Sequence, residues 1–371
     1  MNVERLLTDV FSTSPEWAFV RAVVIIFAIT AVIRLMPLPA NRQGKRIDRL
    51  ALIAGTLSVI LLASACAAGV SYTRHGEQMK TANPAKAWVS ATPATHVLDP
   101  VKPYVGVFEP GVLASYDVVR NFSAATGHTS SIALYYSGWN EPFQSQMAGW
   151  AQANGAMPFV QILPRGITLA NLASGRYDAY LRSYALAVHA YRYPVIIGFA
   201  PEMNGGWYSW DARHTPPRVY ISAWDHMVTL FRHLGASNVI WLWTINSMNA
   251  TPAPVRQWWP GSAYVTWVGI DGYYYRSTDT YEKVFGRTIR AVRAFTSKRI
   301  LISETAIGPG PGQATQIQAL LSGIKTDRLL GLVWFDQAQH QGIFHQDWRL
   351  EDTPSALAAF RSGVSTLEAP G

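Results

Sequence analysis

From about residue 103 the chain repeats one unit: a short apolar run rich in Val, Ile, Tyr and Trp, then turn residues, then an amphipathic helical stretch. The apolar runs are YVGVF (104–108), SIALYY (131–136), PFVQIL (158–163), VIIGFA (195–200), VIWLWTI (239–245), TWVGID (266–271), ILISE (300–304) and LVWFD (332–336). Most are continuously apolar rather than alternating, the pattern of parallel strands covered on both faces. The spacing predicts helices over 176–192, 216–234, 280–296 and 312–325. Eight such units in roughly 265 residues match the size of one (β/α)8 barrel. An open, doubly wound sheet is the alternative. It would put a glycine-rich phosphate loop after the first strand, whereas EPGVLAS follows YVGVF. The expectation is an α/β chain with a single TIM barrel over 101–371.

The first 72 residues read as a membrane anchor. No residue from Ala51 to Ser71 is charged. At about 1.5 Å rise per residue this segment crosses a hydrocarbon core of about 30 Å. An earlier apolar segment, about 17–37, has Arg21 and Arg34 near its ends, where arginines reach the interface. The loop between them, 38–50, carries Arg42, Lys45, Arg46 and Arg49. Positive charge beside a span stays cytoplasmic, so everything after Ser71 is expected outside. Another reading starts near Met36 and makes 42–66 a signal peptide, with Ala63, Ser64 and Ala65 before Cys66. Both readings export the C-terminal domain from the cell membrane. Residues 73–100, polar and rich in Ala, Thr and Pro, read as a linker.

Composition removes several function classes. With 49% hydrophobic residues and 14 Trp, the chain has ample material for a packed core and is not a disordered tract. A single cysteine, Cys66, excludes an internal disulfide framework and a zinc site built from several thiolates. The formal charge of +8 is partly concentrated in the 38–50 loop and otherwise thinly spread, so nucleic acid is not an expected partner.

A barrel performs its chemistry at the C-terminal ends of its strands. The fourth apolar run leads into Pro201-Glu202-Met203-Asn204-Gly205-Gly206-Trp207, and the seventh ends at Glu304. The sixth ends at Asp271 with Tyr273 beyond it, the fifth near Asn246, the eighth at Trp334 and Asp336, and the second near Tyr136, Trp139 and Asn140. A carboxylate closing an apolar strand is a costly placement unless it is paired or used. Strands four and seven face each other across the mouth of an eight-stranded barrel. Retaining glycoside hydrolysis needs two carboxyl groups about 5–5.5 Å apart, one to donate a proton and one to attack. Tryptophan and tyrosine faces suit the apolar faces of sugar rings. The competing structural reading pairs each carboxylate with a nearby base.

PEMNGGWYSW (201–210) resembles the acid/base motif of glycoside hydrolase family 26, usually His-Glu-Met-Asn-Gly-x-Trp. The resemblance implies a retaining (β/α)8 enzyme with Glu202 as acid/base. ILISETA (300–306) resembles the family's nucleophile segment, making Glu304 the nucleophile. VGIDGY (268–273) resembles its strand-six segment, in which Tyr273 would orient that nucleophile. GLVWFD (331–336) implies a platform at Trp334, and SGRYDAYL (174–181) resembles the helix before strand four. Two positions depart: Pro201 stands where the family usually has His, and Gly198 where it usually has Arg.

Further substrate contacts are expected from Trp207, Asn204, Trp139, Asp271 and Tyr136. Arg165 lies after the third strand and is read as reaching either the cleft or the surface. His340 and His345, five apart, are read as loop histidines rather than a metal pair, and no metal or cofactor is expected. The leading reading is a membrane-tethered, extracytoplasmic glycoside hydrolase cutting a β-linked polysaccharide, mannan-like or β-glucan. The alternative is a non-catalytic barrel that binds or guides a polysaccharide for cell-envelope machinery. Pro201 and Gly198 favour the alternative; the two glutamates favour hydrolysis.

Overall fold

The computed structural model describes residues 95–248, 254–338 and 346–369. Both expected membrane spans, the basic loop and most of the linker lie outside these residues, as do His340 and His345. Among the described residues no helix is long and apolar enough to cross a membrane.

Eight strands close in chain order into an all-parallel barrel, with β1 pairing to both β2 and β8. They are β1 (Tyr104–Phe108), β2 (Ile132–Gly138), β3 (Met157–Leu163), β4 (Val195–Phe199), β5 (Val239–Asn246), β6 (Trp267–Asp271), β7 (Arg299–Thr305) and β8 (Gly331–Phe335). Around them run α1 (Asp117–Thr126), α2 (Ser145–Ala153), α3 (Asp178–Tyr191), α4 (Pro217–His233), α5 (Arg287–Arg293), α6 (Gln313–Thr326) and α7 (Pro354–Glu368). The strand–helix repeat breaks once. Among the described residues the β5–β6 crossover holds only a 3₁₀ turn, Val255–Trp258.

Helix α4 illustrates how the sequence builds the outer layer. Pro217 occupies its first turn, where a missing N–H costs nothing. Tyr220, Ala223, Trp224, Met227, Val228 and Phe231 follow at helical spacing and are all buried. Trp224 packs edge-on against Phe199 of β4 and Trp241 of β5, and Phe231 packs on the same Trp241. A side chain of this kind contributes about 1.5–3 kcal/mol when fully buried.

Strand periodicity divides the core in two. Val105, Tyr135, Ile197, Trp243, Ile270 and Trp334 face the helices. Ile132, Leu134, Phe159, Ile196, Leu242 and Leu301 fill the barrel. Val97 and Leu98, at the end of the expected linker, pack on the lower barrel interior. Tyr104 donates to the Val97 carbonyl (2.8 Å) and the Trp267 indole to the Leu98 carbonyl (3.2 Å). The packed unit therefore begins before residue 101.

The upper interior is polar. Gln161 of β3 donates to Thr244 of β5 (3.1 Å), and Ser303 of β7 donates to Asp271 of β6 (2.6 Å). Glycine at 198 makes room for this layer, since a Cβ there would lie 1.9 Å from Gln161 Oε1.

Candidate active site

At the end of β4 the chain makes an abrupt turn. Ala200 (φ 46°) and Glu202 (φ 53°) both adopt the left-handed region, on either side of Pro201. Such positions cost about 1–2 kcal/mol each for residues with a Cβ and persist only where the surroundings hold them. Here they are held. Glu202 N–H donates to the Thr244 carbonyl (2.9 Å), the Trp210 indole to the Pro201 carbonyl (2.7 Å) and the Tyr220 hydroxyl to the Ala200 carbonyl (3.0 Å). Asn204 exchanges two hydrogen bonds of 2.8 Å with the backbone of Asn246, clamping the loop to β5. Gly205 lets the Trp207 ring fold back over the loop, because a Cβ would lie 2.3 Å from it. The Glu202 carboxylate then accepts from the Asn246 amide (2.6 Å) and the Trp207 indole (3.2 Å).

Glu304 is aimed differently. Opposite β6, Ile270 pairs with Ile302 but Asp271 pairs with Glu304, so β7 carries one extra residue. Strict alternation would send Ser303 inward and Glu304 toward the helices. The bulge turns both inward, a common device beside active sites. Ser303 bonds Asp271, while Glu304 accepts from Tyr136 of β2 (2.5 Å) and from Tyr273 beyond β6 (2.8 Å). These two phenols are ends of an aromatic arc. Tyr136 packs on Phe108 (5.1 Å between ring centres), Phe108 stacks on Phe335 (4.6 Å), and Phe335 meets Tyr273 (5.7 Å).

Burial raises both glutamates above the usual carboxylate range. The charge of Glu202 adds to the rise of Glu304, while the donors to each pull the other way. Two buried like charges in one site do not ionise together, so the pair holds a single proton between its two apparent pKa values. The short phenol O–H donors to Glu304 are the strongest hydrogen bonds to either carboxylate, which puts the negative charge there and the proton on Glu202. Burial, reinforced by the Glu304 charge, raises both tyrosines well above the usual phenol value and keeps them as donors. Asp271 beneath is also raised, by burial and then by Glu304 and Glu202, and is held neutral.

The sequence profile of glycosyl hydrolase family 26 matches residues 125–317, from the end of α1 into α6. The chain belongs to glycosyl hydrolase family 26. Endoglucanase H of Acetivibrio thermocellus is 28% identical over 272 residues, covering 68% of this chain and 29% of that protein. Beta-1,3-xylanase TXYA of a Vibrio species is 24% identical, covering 48% of this chain and 38% of that one. The chain thus aligns to about a third of the length of these relatives. Among solved structures, the catalytic domain of a Bacillus sp. JAMB-750 endo-beta-1,4-mannanase superposes with a TM-score of 0.60 at 15% identity, covering 76% of this chain and 92% of that one. A Cellulomonas fimi endo-beta-1,4-mannanase double mutant gives 0.56 at 17%, covering 75% and 74%. At these identities the structures speak to the fold alone.

Not every expected contact of this family 26 chain lies where the sequence suggests. Trp334 is 0% exposed and faces the helices, packing on Phe360 and donating to the Trp348 carbonyl (2.9 Å). It cannot be a sugar platform; its neighbour Phe335 is the inward residue of β8, a difference of one position in a period of two. Trp139 is 9% exposed and wedged against Tyr177 and Tyr180, so it is packing rather than a stacking face. Asn204, 2% exposed, serves as the loop clamp, and fully buried Asp271 lies below the mouth, so neither is open to a sugar. Tyr136 is engaged by Glu304. Trp207, 52% exposed beside Glu202, presents an open ring. Arg165 lies over the Tyr208 ring at 5.5 Å. The sequence reading passes over Gln161, whose signal was a polar residue inside the apolar run PFVQIL. Among the described residues no group of three or more His, Cys, Asp or Glu is placed to hold a metal ion.

Proposed function

We propose that this chain is a retaining glycoside hydrolase that cuts a β-linked polysaccharide, mannan-like or β-glucan, by double displacement. The observation that carries this reading is the unequal pairing of two buried glutamates, Glu304 with two phenol donors and Glu202 with an amide and an indole. Ionised Glu304 attacks the anomeric carbon while protonated Glu202 hands its proton to the leaving oxygen. Glu202, now a base, takes a proton from the water that releases the sugar from Glu304. Tyr273 and Tyr136 hold the nucleophile; Trp207 offers a ring face next to the acid/base. The backbone sugar of the relatives differs between glucan and xylan by their names, so the reading stays at the level of a β-linked polymer. The apolar segments of the first 72 residues support a membrane tether with the barrel outside the cytoplasm.

The binding-barrel alternative rests on Gly198 and Pro201, where the usual charged neighbours of the acid/base are absent and Gln161 fills the space beside 198. One experiment separates the two. The full chain is incubated with mannans, mixed-linkage glucans and xylans, and new reducing ends are followed by NMR. Fresh ends that appear first as the β-anomer support retention. First appearance of the α-anomer would contradict it, and tight binding without products favours the alternative. A phosphatase fused after residue 75 is expected to be active; an inactive, well-expressed fusion overturns the topology.

A further inference from the structure

A cleft of about 330 Å³ runs from the catalytic pair toward the β6 loop, between Trp207 and Asn246 on one side and Tyr275, Arg276, Asp279 and Lys283 on the other. Trp207 and Asn246 are the hydrogen-bond donors to Glu202. The residue that protonates the leaving oxygen therefore shares its walls with this cleft, which makes it the leaving-group side.

Its electrostatics do not suit a neutral sugar. Arg276 is pinned from both sides at the backbone: its N–H donates to Asp279 (2.8 Å) and its carbonyl accepts from Gln316 (2.9 Å). The same Asp279 oxygen also accepts from Tyr275 N–H (2.8 Å), so it is spent on the turn. Among the described residues the Arg276 guanidinium joins no ion pair and donates no hydrogen bond. The Lys283 ammonium, tied to the Thr278 carbonyl (2.8 Å), adds a second cation to the same wall. A fixed loop thus presents a fork of N–H donors and a positive charge to a groove floored by aromatic rings. Guanidinium geometry matches a carboxylate or sulfate oxygen pair.

We propose that the leaving-group side of this cleft takes a sugar bearing an oxyanion, and that Arg276 is the residue that recognises it. The natural polymer is then an acidic β-linked polysaccharide. This inference rests on the hydrolase reading for its choice of side, but its test does not.

The test uses the full chain carrying Glu304→Ala, held in nonionic detergent, and surfaces bearing one mixed-linkage β-glucan in hydroxyethyl, carboxymethyl and sulfated forms. The carboxymethyl or the sulfated form is expected to bind about tenfold tighter than the neutral one, the size of one charge-assisted contact. Which of the two binds tighter identifies the oxyanion. Arg276→Gln removes the preference. Arg192→Gln, an exposed arginine just before β4 on the opposite rim of the barrel, leaves it intact and controls for net charge. Equal binding of charged and neutral forms overturns the inference, as does equal loss in both arginine variants. If the wild-type chain cuts neutral glucan with no charge preference, this inference fails and the hydrolase survives. If the preference holds but nothing in the panel is cut, the hydrolase fails and the anion site stands.

Discussion

The ends of β4 and β7 each deliver one carboxylate to the same mouth by opposite means. After β4 the glutamate lies beyond the strand, on a loop forced through two left-handed residues and fastened by Trp210, Tyr220 and Asn204. In β7 the glutamate lies within the strand, and a single extra residue swings it inward with no left-handed backbone between 299 and 305. One end stores strain and needs many fasteners. The other changes register and needs few. The donors differ in kind as well: N–H groups from the neighbouring loop and strand at Glu202, phenol O–H groups from β2 and the β6 loop at Glu304. The difference teaches that the acid/base depends on a loop, whereas the nucleophile depends on the barrel itself.

The largest expected effect breaks the β7 side. Glu304→Ala lowers kcat by about four orders of magnitude or more on every substrate, with azide restoring turnover to an inverted product. Product stereochemistry by NMR checks it; a variant with substantial unaided activity would remove Glu304 from the mechanism. Glu202→Ala has the next largest effect and divides by substrate. Polysaccharide cleavage falls about 10²–10⁴-fold, while an aryl glycoside with an acidic leaving group keeps its first step. Equal loss on both substrates in steady-state assays would reverse the assignment of roles.

The pH profile sharpens the contrast. Tyr136→Phe removes a donor that favours ionised Glu304, so the pKa of that group rises. Activity requires the ionised form, so the acidic limb of kcat/KM moves to higher pH. One lost charge-assisted bond of about 1.5–3 kcal/mol corresponds to a shift of one to two units. Asn246→Ala instead removes a donor to Glu202, favours its protonated form and moves the alkaline limb upward. Movement of the same limb in both variants would refute the separate roles. The smallest effect tests strain. Ala200→Gly relieves a left-handed residue and raises stability by about 1 kcal/mol or less, a Tm gain of up to about 4 °C by calorimetry. A lower Tm would show that the turn is not strained.

The strand and helix order was legible in the sequence because eight continuous apolar runs leave little else to build. PEMNGGWYSW was legible as a unit because each of its residues answers a local demand of one turn. What the sequence hides is orientation. Trp334 and Phe335 are adjacent, and nothing local says which faces inward; closure of β8 between β7 and β1 decides it. The β7 bulge is equally silent, because ISET reads the same whether or not a residue is skipped. Trp139 and Asn204 resemble sugar contacts until neighbouring helices and strands cover them.

The bulge has a genetic consequence. Below Ile302 the pairing of β7 with β6 is regular, and the core on both faces is set there. The extra residue enters only at the rim. Deleting one codon among Ser303, Glu304 and Thr305 would leave the hydrophobic layers of the barrel in place and change only what the rim presents. On the proposed mechanism, a cutting barrel and a merely gripping one are then a single in-frame deletion apart, so a lineage could cross between the two without passing through an unfolded protein.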